Sequence, residues 1–173
     1  MSKKIFRALL VPFEYVFSLF NNWKPIPNSE QKVFLIDIHN YKGKEYLLKD
    51  NTVIKKGDLV AELHVNNTHV IDLDNSMANL YNLIDYELKL IAKALNKEYK
   101  DIKAFYCETV LYALISRKGF QTFKLTNSPI TKLKGFWYRT LKDTFSSSKK
   151  PGKKRLPRKC FISAEKLKQM YDK

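Results

Sequence analysis

Gly57-Asp58-Leu59-Val60-Ala61-Glu62-Leu63-His64-Val65-Asn66-Asn67 is the stretch around which the rest of this chain is ordered. Gly57-Asp58 reads as a turn and residues 59–66 as a strand, because side chains of an extended chain alternate faces with a period of two. Leu59, Ala61, Leu63 and Val65 then point into a core. Val60, Glu62, His64 and Asn66 point the other way. A carboxylate and an imidazole two residues apart on one face can share a ligand, a proton or a polar cleft.

Outward from that strand, residues 32–40 read as the first core strand. Phe34, Ile36 and Ile38 form one face; Val33, Leu35, Asp37 and His39 form the other. The acid–imidazole spacing therefore occurs twice, and four polar groups meet if the two strands are neighbours. The alternative is that both faces are solvated, or that each histidine is simply hydrogen-bonded. Between the strands lie a turn at 41–44, a short strand at 46–48, a turn at 49–51 and a short strand at 53–54. Short strands punctuated by Gly, Asn and Asp point to an antiparallel sheet or a small, partly open barrel.

The helices follow from a 3.6-residue period. Residues 3–20 form an amphipathic helix with Ile5, Phe6, Leu9, Leu10, Phe13, Phe17 and Phe20 on one side, ended by Pro25 and Pro27. It either docks on the domain's own core or lies on a membrane, with Lys3, Lys4 and Arg7 toward anionic headgroups. A second helix covers about 76–96, striped by Met77, Leu80, Ile84, Leu88, Ile91 and Leu95. Further on come a strand at 102–108, a helix at 110–118 closed by Gly119, a strand at 120–125, a helix at 131–145 and a strand at 160–162. Ser163 caps a terminal helix. The expectation is one α+β domain over 1–173: a small antiparallel, barrel-like sheet packed with four or five helices.

Charge bears on partners. Thirty-two Lys and Arg against 17 Asp and Glu give a net charge of +15. Lys149, Lys150, Lys153, Lys154, Arg155, Arg158 and Lys159 fall in a basic loop at 146–159 that contains no acid. Such an excess suits an anionic membrane surface, an envelope polymer or a nucleic acid. The loop lacks the interleaved aromatics of single-strand binders. Cys107 and Cys160 have no metal-ligand or redox spacing and read as reduced thiols of an intracellular protein. Cys107 as a nucleophile has no adjacent histidine to support it. Residues 1–20 do not read as a secretory signal, since Arg7 and Glu14 interrupt the apolar run and no small-residue cleavage site follows.

Several chemistries find no motif. HExxH and EF-hand loops are absent, as are GxGxxG, the P-loop and GxSxG. The sequence therefore assigns no metal and no cofactor. Glu62 and His64 are the catalytic candidates. Asp37, His39 and Asn66 are candidates for ligand binding on the same sheet face. Tyr138 and Arg139, at the end of Gly135-Phe136-Trp137-Tyr138-Arg139, and Arg155 in the basic loop are candidates for contacting sugar rings or anionic groups.

The chain resembles the YkoP-like domain family of Gram-positive bacteria. The resemblance rests on the aromatic N-terminal helix before Lys24-Pro25-Ile26, on Leu35 to His39, and on the Gly-Asp-x-Val-x-Glu-Leu-His-x-Asn-Asn segment at 57–67. It continues through Ser116-Arg117-Lys118-Gly119-Phe120, Phe136-Trp137-Tyr138-Arg139, and Lys154-Arg155-Leu156 leading into Phe161-Ile162-Ser163. Members are expected both alone and attached to polysaccharide-deacetylase-type proteins. This implies a role around cell-envelope polysaccharide or glycolipid, without supplying an activity. The expected function is that of a small cytoplasmic accessory or binding protein, peripheral to the inner face of the membrane. The alternatives are an enzyme using Glu62 and His64 on a sugar- or phosphate-containing substrate, and a nucleic-acid-binding protein.

Overall fold

The computed structural model describes residues 23–66, 77–125 and 156–172. The strands are β1 (Lys24–Pro25), β2 (Phe34–Asn40), β3 (Tyr46–Leu47), β4 (Val53–Ile54), β5 (Leu59–Val65), β6 (Ala104–Thr109), β7 (Gln121–Lys124) and β8 (Arg158–Ser163). The helices are α1 (Met77–Ala94), α2 (Tyr112–Ser116) and α3 (Ala164–Tyr171). Six strands form one sheet in the order β1-β2-β5-β6-β8-β7, and β3 and β4 form a separate two-stranded sheet.

The α+β class stands, but the sheet differs from the expected one in two respects. It is mixed: β5 and β6 run parallel, and every other neighbouring pair is antiparallel. A parallel pair needs a long crossover, and α1 lies in the connection between β5 and β6. The sheet is also open, with β1 and β7 as its edges among the described residues, so it is not a barrel. The described residues hold three helices rather than four or five. The helices expected at 3–20 and 131–145 lie outside them.

The register between β2 and β5 decides the site. Asp37 stands opposite Glu62, Leu35 opposite His64, and His39 opposite Val60. The turn before β5 is held locally. Gly57 sits at φ +94°, a backbone that costs glycine little. The Asp58 carboxylate accepts the Lys55 backbone N–H at 2.8 Å and the Lys103 ammonium at 2.9 Å. This ties the turn to the chain entering β6.

Both faces of the sheet are apolar over part of their area. On one, Ile84, Leu88 and Ile91 of α1 and Leu167 of α3 pack with Phe34, Ile36, Ala61, Leu63, Phe105 and Ile162. Within that core Glu87 is fully buried. Its Oε1 accepts from the Ser29 hydroxyl at 2.6 Å and the Val33 N–H at 2.9 Å, so α1 holds the chain entering β2. On the opposite face, Val60, Ala104, Tyr106 and Phe161 pack under Tyr41, Tyr46, Leu48 and Ile54. Val60 is thus fully buried rather than facing solvent, whereas Val65, expected in the core, is 39% exposed. Ile38 is likewise exposed near the end of β2.

Ser163 caps α3 as its pattern predicts, accepting the Lys166 N–H at 3.0 Å. Arg158 and Lys159, expected in the basic loop, instead belong to β8. Lys159 lies 3.3 Å from the Glu108 carboxylate on β6, and Arg158 stacks over Tyr112 at 4.3 Å. Lys159 is thus matched by a carboxylate on a neighbouring strand and Arg158 lies over an aromatic ring of α2, partners that sequence neighbours do not reveal. No helix among the described residues is long and apolar enough to cross a membrane.

Candidate functional site

Beyond Val60 and Tyr106, the face carrying the β3–β4 hairpin turns polar. Alternation along β2 and β5 sets Asp37, His39, Glu62 and His64 on this face, and their register makes them adjacent. The parallel pairing of β5 with β6 adds Tyr106 beside Glu62.

The contacts run as a chain. His64 Nε2 lies 3.8 Å from Glu62 Oε2. The same oxygen accepts the Tyr106 hydroxyl at 2.8 Å. The Tyr106 oxygen is 3.1 Å from His39 Nε2. His39 Nδ1 in turn lies 3.2 Å from Asp37 Oδ2. Tyr106 has one hydroxyl hydrogen and gives it to Glu62, so in its contact with His39 it accepts and His39 Nε2 donates. Trp23 covers the other end, stacked on the His64 ring at 4.4 Å between centroids. The four side chains from β2 and β5 are each 24–29% exposed, sheltered yet within reach of a ligand.

Burial sets the electrostatics. Desolvation pushes the His64 imidazole below its usual value, outweighing the neighbouring Glu62 and Asp37 carboxylates that pull the other way. Desolvation together with Glu62 drives the Tyr106 hydroxyl far above the ordinary tyrosine range, so it stays a proton donor. Burial and the nearby Tyr46 push Tyr41 up to about 12.

The structure thus brings together Asp37, His39, Glu62 and His64. Asn66 follows the end of β5, where its backbone N–H donates to Val33 O at 2.8 Å. Tyr138, Arg139 and Arg155 lie outside the described residues. Cys107 stands opposite Cys160 across β6 and β8. The hydrogen bond to Cys160, then burial, raises the Cys107 thiol well above its ordinary value, which argues against a thiolate nucleophile.

Tyr106 and Trp23 are the site residues that sequence reasoning missed. Tyr106 alternates with Ala104 and Glu108 in a recognisable strand, but only the parallel pairing puts it beside Glu62. Trp23 reads locally as the end of the N-terminal helix.

The YkoP domain model matches residues 3–171. The chain belongs to the YkoP domain family. The "Uncharacterized protein YkoP" of Bacillus subtilis (strain 168) is 26% identical over 188 residues, covering 99% of this chain and 98% of that protein. No solved structure matches. In this YkoP-domain chain, the 57–67 segment contributes a turn, a core strand and half of the polar cluster.

Proposed function

We propose that the protein is a saccharide-binding accessory protein of bacterial cell-envelope metabolism, holding its ligand on the polar sheet face beside Trp23. The observation that carries this reading is the convergence of Asp37, His39, Glu62, His64 and Tyr106 on a sheltered face with an indole stacked at one end. A sugar offers hydroxyls that need acceptors and donors, and an apolar ring face that an aromatic side chain covers. The envelope setting comes from the association with polysaccharide-deacetylase-type proteins that the sequence resemblance implies. The net charge of +15 suits an anionic polymer or membrane surface at the cytoplasmic side.

A second reading, an enzyme acting on a sugar- or phosphate-containing substrate, draws support from Tyr106. Its hydroxyl links Glu62 to His39, so an acid, a base and a proton donor stand within contact of one another.

The test is a fluorescence titration of the full chain with N-acetylated amino-sugar oligomers and a sugar 1-phosphate. Saturable binding that is lost in Trp23→Phe, with the melting temperature unchanged, supports the proposal. Absence of binding to every saccharide tried overturns it. Time-dependent conversion seen by mass spectrometry, abolished in Glu62→Gln while binding remains, selects the enzyme.

A further inference from the structure

We infer that Asp37, Glu62 and His64 form a binding site for a divalent transition-metal cation. The inference rests on reading this sheet face as the functional site, and it names what organises that site.

Each of the three residues offers one ligand atom, and these atoms lie within 4.8 Å of one another. They come from rigid, adjacent strands: Asp37 and Glu62 are register partners, and His64 is two residues from Glu62 on the same face. Donors held about 2.0–2.2 Å from a metal stand roughly 3–4 Å apart, so small side-chain rotations close the set.

Two observations independent of the spacing point to a cation. First, two carboxylates directly opposite on neighbouring strands repel one another. Lys159 on the same face is drawn to Glu108, at 3.3 Å. Second, His64 Nε2 and His39 Nδ1 are buried atoms with no hydrogen-bond partner, and each faces a carboxylate oxygen. A buried polar atom left without a partner is costly. A cation between His64 Nε2 and the two carboxylates satisfies that nitrogen and relieves the repulsion together.

The surroundings suit a metal as well. The Tyr106 hydroxyl orients the Glu62 carboxylate, His39 lies against Asp37, and Trp23 holds the His64 ring. Such outer contacts fix the direction of ligand lone pairs. One imidazole and two carboxylates match Zn²⁺, Mn²⁺ or Fe²⁺ better than Mg²⁺ or Ca²⁺, which favour oxygen-only shells. Three protein donors leave coordination positions open toward solvent, where sugar hydroxyls or phosphate oxygens can bind.

The experiment is calorimetric titration of the chelator-stripped full chain with Zn²⁺ alone and Mn²⁺ alone, with melting temperatures measured in parallel. The expected result is one ion per chain and a melting temperature raised by the metal. Asp37→Asn and His64→Gln should each weaken binding more than about 100-fold, beyond the roughly 10–100-fold of outer-contact changes such as Tyr106→Phe. Metal-free Asp37→Asn should melt no lower than metal-free wild type, because the mutation removes a like-charge pair. It therefore decides the matter even if His64→Gln fails to fold. A wild-type chain that binds no stoichiometric metal overturns the inference. So does binding that survives both substitutions and disappears in Cys107→Ser/Cys160→Ser. Saccharide binding by a chain that takes up neither ion sinks this inference and leaves the function proposal standing. Stoichiometric metal without any saccharide binding does the reverse.

Discussion

Tyr106 shows how much one hydroxyl can organise. It donates to Glu62 at 2.8 Å and contacts His39 Nε2 at 3.1 Å, while its ring packs against Phe161 and Tyr41. Removing the hydroxyl leaves the ring's apolar contacts but deprives a half-buried carboxylate and an imidazole of their shared partner. Tyr106→Phe is therefore expected to fold and to lose about 1–3 kcal/mol, read by chemical denaturation, because buried polar groups stripped of a partner carry their full desolvation cost. A loss near zero would mean that water replaces the hydroxyl freely and that the face is wetter than its 24–29% side-chain exposure indicates. Glu87 makes the complementary point. It falls three residues after Ile84 and four before Ile91, on the stripe that the period assigns to the core. The stripe read from the sequence named only apolar residues and left it out, and its partners Ser29 and Val33 come from a distant loop.

At the scale of elements, the turn into β5 couples pH to stability. Burial alone would raise the Asp58 carboxyl. The Lys55 N–H and the Lys103 ammonium outweigh it and hold the group below its usual 3.8. A carboxyl depressed in the folded state binds fewer protons there than in the unfolded chain. Its stabilisation is thus complete above about pH 4 and is lost as pH falls through the folded value. Asp58→Asn should flatten the acid limb of the stability curve below about pH 4, measured by urea melts across pH, and leave the slope near neutrality unchanged. An acid limb identical to wild type would place the titration elsewhere. The elements themselves were largely readable: 76–96 became Met77–Ala94, 59–66 became Leu59–Val65, and Ser163 caps its helix. The parallel pairing was not. Hairpin-like punctuation at 41–58 suggested an all-antiparallel sheet, yet the long helical connection after β5 permits a crossover.

The described residues form a sheet with two unequal faces, and Phe161 and Phe105 sample them separately. Both are fully buried. Phe105 belongs to the helix-covered core, and Phe161 to the smaller aromatic cluster with Tyr41, Tyr46 and Tyr106. Either truncation to alanine should cost about 3–5 kcal/mol. Only Phe161→Ala should also weaken ligand or metal binding at the polar face, since it removes the wall behind Tyr106. Equal effects of the two variants on binding would show that the site senses global stability rather than this packing.

Alternation by itself determined which residues of 32–40 and 59–66 share a face, because a strand's period of two is a local property of the backbone. It therefore named Asp37, His39, Glu62 and His64. The 3.6 period in the same way set α1 and its buried stripe. Register and strand neighbours belong to the tertiary structure, since hydrogen bonds between segments distant in sequence leave no local trace. Only the fold put Asp37 opposite Glu62, slid Tyr106 between Glu62 and His39, laid Trp23 on His64, and buried Val60 under the β3–β4 hairpin. It also matched Lys159 with Glu108 across two strands. Long-range packing, which minimises buried unpaired charge and exposed apolar surface over the whole chain, made those choices.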